Sequence, residues 1–211
     1  MALATGLSAF LYSRKGYGSS SFLEQPHRTG FLHEEGRSVL PRVLDKAKIE
    51  NTILIGHSDG ASIAIIHAGS SNDDRIKGLI LEAPHLFVEE KTLNGIRLVK
   101  TAYEKGNLRK RLVRYHGENT DNTFKSWVQV WLDPLFEDWN IEEYVPHIRV
   151  PVMALQGCAD EYGTDAQIEA LAKLMKEPFE SVAIPDCGHS PHIEKEKDTL
   201  EAMIRFIERI I

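Results

Sequence analysis

Ile53-Leu54-Ile55-Gly56-His57-Ser58-Asp59-Gly60-Ala61-Ser62 is the stretch on which the fold turns. Three large apolar residues in a row predict a buried strand over 53–55, and the apolar spacing of residues 60–68 predicts a helix. Between them lies a turn of the form G-x-S-x-G. A serine on so sharp a strand-to-helix turn is held in a strained backbone conformation, which calls for small residues two before and two after it. Gly56 and Gly60 answer that need. The helix that starts here points its N-terminal dipole at the Ser58 hydroxyl, and the Asp59 amide becomes a donor to any oxyanion formed there. Glycine–serine turns of this spelling also arise by chance, so the flanking strand and helix carry the meaning.

Outward from this turn, strand-like runs alternate with helical patterns, the sign of a mostly parallel α/β sheet with crossover helices. Leu7–Tyr12 is the first expected strand, closed by the turn Gly16-Tyr17-Gly18-Ser19. A helix is expected from His33 to Ala47, kinked or restarted at Pro41, which has no backbone donor. Further strands are expected at Ile76–Leu81, Val150–Leu155 and Phe179–Ile184. Thr164-Asp165-Ala166-Gln167 has capping-box form ahead of a helix, and Leu200, Met203, Ile204, Ile207 and Ile211 mark a terminal amphipathic one.

A serine nucleophile needs a base, and the base an orienting carboxylate. Asp160 follows the strand Val150–Leu155 within Gly157-Cys158-Ala159-Asp160, and His189 follows Phe179–Ile184 within Cys187-Gly188-His189. Three strand ends thus deliver Ser58, Asp160 and His189 to the carboxyl edge of one sheet, where sites of open α/β folds form. Rivals exist for each role. Glu82 ends another strand and is the alternative acid, whereas Glu161 is expected to point outward. His192 could line the site, His57 to pack beneath the turn, and His85 to face the cleft. A His189/His192 metal pair lacks a third ligand.

With these motifs the chain resembles a capped member of the α/β-hydrolase family from about Leu7 onward, including Tyr12-Ser13-Arg14-Lys15-Gly16-Tyr17-Gly18. The resemblance implies acyl-transfer chemistry, because Ser58 stands where some relatives carry aspartate. It implies hydrolysis of a small or medium acyl substrate through an acyl-enzyme, an ester first, with thioester, amide, C–C bond cleavage and acyl transfer as alternatives. No metal or organic cofactor is required. The family's fold also has strands ahead of Leu7–Tyr12 and an oxyanion donor in the loop after the third. The chain is therefore expected to be an N-terminally incomplete version of the fold. Its strand edge would be unpaired and open to association with a second copy, and its other reading is a crippled scaffold or interaction protein.

Residues 1–84 and 147–211 are expected to form the core and 85–146 a helical cap. The latter holds Tyr103, Tyr115, Phe124, Trp127, Trp131, Phe136 and Trp139, which together suggest a lid with a partly apolar inner face. The net charge of -6 argues against a nucleic-acid partner, and Arg109-Lys110-Arg111 reads as a solvated helix face. No apolar run approaches membrane-spanning length. With no signal-peptide pattern at the start, the expected location is cytoplasmic, and Cys158 and Cys187 are expected as free thiols.

Overall fold

The computed structural model describes residues 1–211. Four strands form where aliphatic residues run together: β1 (Thr52–His57), β2 (Ile76–Glu82), β3 (Val152–Gly157) and β4 (Phe179–Ile184). All pair in parallel in the order β1-β2-β3-β4, so each connection must cross over a face of the sheet. Helix α4 (Asp59–Ser70) links β1 to β2, and α8 (Asp165–Leu174) links β3 to β4. The chain between β2 and β3 is longer and contains α5 (Glu90–Lys105), α6 (Leu108–His116) and α7 (Thr120–Trp131). No strand forms within it beyond one bridge between Phe87 and Asn140.

Helices cover both faces. On one side α4 packs almost entirely buried, its Ile63, Ile65 and Ile66 joining Leu79, Leu81, Val152 and Ala154 of the sheet. On the other, α10 (Glu196–Ile210) places Met203, Phe206 and Ile207 against Ile80, Met153 and Leu155. Each fully buried aliphatic side chain contributes about 1.5–3 kcal/mol, which explains why Leu79–Leu81 of β2 and Val152–Leu155 of β3, buried on both faces, read as unbroken apolar runs.

The expected helix His33–Ala47 is a rod of α2 (Phe31–Glu34), a π-helical stretch Glu35–Val39 and α3 (Leu40–Lys46). Pro41 sits in the first turn of α3, where no donor is needed, and the widened stretch before it absorbs the mismatch. The capping box forms in part. Thr164 accepts from the Ala166 amide, but Gln167 turns away to bond the Leu86 amide and the Phe87 carbonyl. Glu89 closes the cap instead, accepting from the Thr164 amide and hydroxyl. The crossover is thereby pinned where it leaves β2.

One expected strand is absent. Residues Leu7–Tyr12 are irregular, with Leu11 87% exposed. Short helix α1 (Ala2–Thr5) precedes them, and no backbone hydrogen bond ties them to β1. A cleft of about 1130 Å³ separates the two, walled by residues 7–12 on one side and by Thr52–His57 on the other. Apolar composition favours a strand only where a ladder partner satisfies its backbone groups, and here none lies within reach. β1 is thus a free edge. The amides of Thr52 and Ser58 point to β2, which leaves those of Ile53, Ile55 and His57 on the open side, and Ile55 is 45% exposed. No helix is long and apolar enough to cross a membrane.

Candidate active site

Ser58 lies where β1 meets α4, with φ 52° and ψ -119°, left-handed backbone that a side chain rarely adopts. Its amide donates to the Glu82 carbonyl at 2.9 Å, and its carbonyl accepts from the Ala61 amide at 2.9 Å. The turn is therefore fastened to both β2 and α4. A Cβ on Gly56 would overlap the Gly60 backbone, whereas one on Gly60 would meet open space. The glycine two before Ser58 is the obligatory one, and the expected need for a small residue two after it is not met with in this structure. The Asp59 amide opens α4 among the donors that a helix leaves without an internal partner.

Asp160 and His189 come together. Nδ1 of His189 lies 2.9 Å from Oδ2 and 3.0 Å from Oδ1 of Asp160. A carboxylate only accepts, so Nδ1 carries the proton and Nε2 keeps its lone pair. The side chain of Asp160 is 1% exposed and that of His189 12%. Gln156 Nε2 and the Tyr162 and Gly163 amides also donate to the carboxylate. Burial alone would raise the Asp160 carboxyl, but the hydrogen bond and charge of His189, helped by the two amides, hold it below its ordinary value. The His189 loop is itself suspended. Glu194 takes the amides of Gly188 and Ser190, and Glu161, exposed as expected, takes that of His189.

Four imidazoles crowd this corner. His57 Nε2 donates to the His189 carbonyl at 2.7 Å, and the two rings stand 4.9 Å apart. Burial and then the charge of His189 lower the His57 ring. Glu82, the rival acid, does not bond His189. It accepts instead from Nδ1 of His192 at 2.9 Å and from the His192 amide. His85 is buried 5.6 Å from the His189 ring and meets Trp131 edge-on; burial pushes it down to about 3. The Ser58 hydroxyl forms no hydrogen bond with His189, whose only ring partner is Asp160. Such bonds often tighten only when substrate binds. No three His, Cys, Asp or Glu side chains are grouped to hold a metal ion. Cys158 and Cys187 are free thiols, the first exposed and the second buried.

Two groups at the site gave no signal in spacing or periodicity. Asp59 is buried and accepts from Trp131 Nε1 at 3.3 Å, tying α7 to the serine turn. Arg14, within the stretch matched by resemblance, reaches the same carboxylate with Nη2 at 3.5 Å. Burial raises the Asp59 carboxyl, and Arg14 and then Trp131 work against that.

The model of the alpha/beta hydrolase family matches residues 1–202. No curated protein matches the chain in sequence. Among solved structures, a carboxylesterase of the thaumarchaeon Nitrososphaera gargenis is similar with a TM-score of 0.72 at 17% identity, covering 94% of this chain and 79% of its own. A membrane phospholipase A described as a bacterial virulence factor gives 0.72 at 18% identity, over 93% and 68%. The enol-lactonase of Burkholderia xenovorans gives 0.68 at 17%, over 92% and 78%. At such identities these likenesses speak for the fold, and the match over residues 1–202 speaks for descent: the chain belongs to the alpha/beta hydrolase family and is a hydrolase.

Proposed function

We propose that the chain hydrolyses a carboxylic ester of small or medium size through an acyl-enzyme on Ser58. The observation that carries this reading is the buried Asp160–His189 pair at 2.9 Å, on the sheet edge that also presents Ser58 on its strained turn. As the Ser58 oxygen attacks the acyl carbon, His189 Nε2 takes its proton, and Asp160 holds the tautomer and stabilises the imidazolium. The carbonyl oxygen becomes an oxyanion facing the Asp59 amide. Collapse expels the alcohol, which receives the proton from His189; water then repeats the sequence on the acyl-enzyme.

Residues 85–146 serve as the lid over this centre. Trp131, Phe136 and Trp139 pack within 5.0–5.7 Å of one another in the core, and the Trp131–Asp59 bond fastens this segment to the residue after the serine. Such a cover excludes water and favours an apolar acyl or aromatic part. The carboxylesterase and enol-lactonase among the similar folds favour an ester over other acyl bonds. Ser58→Ala should lower turnover of a short-chain aryl ester by about a millionfold with an unchanged circular dichroism spectrum. Retained turnover would remove Ser58 from the chemistry.

A further inference from the structure

Charge is spread unevenly over this chain. From Arg97 to His116, across the end of α5 and all of α6, seven Lys or Arg stand against the single acid Glu104, although acids outnumber bases 31 to 25 in the whole. All seven cations are exposed. Arg97 pairs with Glu90 and Arg109 with Asp121, and the other five form no ion pair. The inward side of α6 holds Leu108 and Leu112, which lean on the core, and His116, whose Nδ1 accepts from the Gly18 amide. At 3.6 residues per turn, Lys110, Arg111 and Arg114 then share the outward side, with Val113 and Tyr115 at its margins. Tyr115 is 74% exposed, and Leu98 on the neighbouring α5 is 72% exposed.

This arrangement costs the helix stability. Lys110 and Arg114, like Arg111 and Arg114, are equal charges one turn apart, and they repel. Arg109, Lys110 and Arg111 crowd the start of α6, where the helix dipole disfavours cations, and neither an acid in the first turn nor a cap from Asn107 offsets them. A surface of fixed negative charge would relieve that repulsion. The exposed Tyr115, Val113 and Leu98 narrow the choice of surface further. A duplex offers phosphates with no apolar layer beneath them, whereas a bilayer offers both, and tyrosine favours the boundary between the two. We propose that this face of α5 and α6 docks on an anionic lipid surface, with the five unpaired cations against the headgroups and Tyr115, Val113 and Leu98 at the edge of the apolar layer. The docking is peripheral and independent of the chemistry at Ser58.

Flotation of the intact chain with lipid vesicles tests this. Vesicles of phosphatidylcholine mixed with phosphatidylglycerol should carry the chain at about 0.1 M salt and release it at about 1 M, where the Debye length has shrunk from about 10 Å to about 3 Å. Pure phosphatidylcholine vesicles should leave it in solution. K110Q/R111Q/R114Q should bind the anionic vesicles about 100-fold more weakly, at about fivefold for each charge removed. Its circular dichroism spectrum should be unchanged, which keeps loss of fold apart from loss of docking. Tyr115→Ser, which keeps every charge, should weaken binding about threefold. Equal binding by the triple variant, equal binding to pure phosphatidylcholine, or no binding to the anionic vesicles would overturn the proposal. Duplex DNA bound as tightly as the anionic vesicles would also overturn it, in favour of a nucleic acid. So would salt-sensitive self-association that the triple variant loses, in favour of a second copy of the chain.

Discussion

Two carboxylate–imidazole pairs stand at neighbouring strand ends, Asp160–His189 and Glu82–His192, and each closes at 2.9 Å. Distance does not tell them apart. Asp160 receives three further donors and is sealed with its histidine, whereas the His192 side chain is 43% exposed. The hydrogen bond to Glu82 raises His192 above its ordinary value, against the effect of burial. That makes it a clasp between β2 and the short helix α9 (Pro191–Glu194) that follows His189. A carboxylate orients a base when it is itself immobile and dry. When its histidine faces water, solvent shares the interaction.

The comparison breaks or holds on mutation of the two acids. Asp160→Asn should lower turnover by about ten-thousandfold, because an amide favours the wrong imidazole tautomer. Glu82→Gln should cost less than about tenfold, since a loosened clasp displaces the His189 loop without changing its proton. The opposite ranking in kcat would move the acid to the end of β2.

A smaller effect sharpens the contrast between dry and wet imidazoles. His85, beside the deeper pair, titrates at about 3 in the folded chain against 6.5 unfolded. Between those values the unfolded chain binds the proton and the folded one does not, so stability falls as pH drops from about 6.5 toward 3. The slope is about 1.4 kcal/mol per pH unit for one such group. His27, also lowered by burial, to about 4, adds to the upper part of this window. Urea unfolding of the parent and His85→Phe at pH 7 and pH 5 should show a shallower loss in the variant. Equal losses would mean that His85 takes up its proton without unfolding.

Most of the sheet and its strand ends were legible because they follow from local apolar runs and one turn. β1 to β4 all fall on the runs read from sequence, and Asp160 and His189 each follow such a run within a few residues. What was not legible depends on neighbours. Leu7–Tyr12 has a strand's composition and no ladder partner. Gln167 has a capping residue's spacing but spends its amide on Leu86 and Phe87 across the fold. Arg14 meets Asp59 across 45 positions, a pairing that no periodicity encodes. Glu82 and Asp160 stand alike at strand ends in the sequence, and only the loops decide which histidine each one meets.

The central claim is that Ser58 is the nucleophile served by His189. A fluorophosphonate reacts only with a serine so activated, and peptide mapping of the labelled protein reads its position directly. The label should fall on Ser58 in the parent chain and react far more slowly in His189→Ala. Labelling of another serine, such as Ser62 or Ser190, or ester turnover that persists with Ser58 unlabelled, would contradict the account.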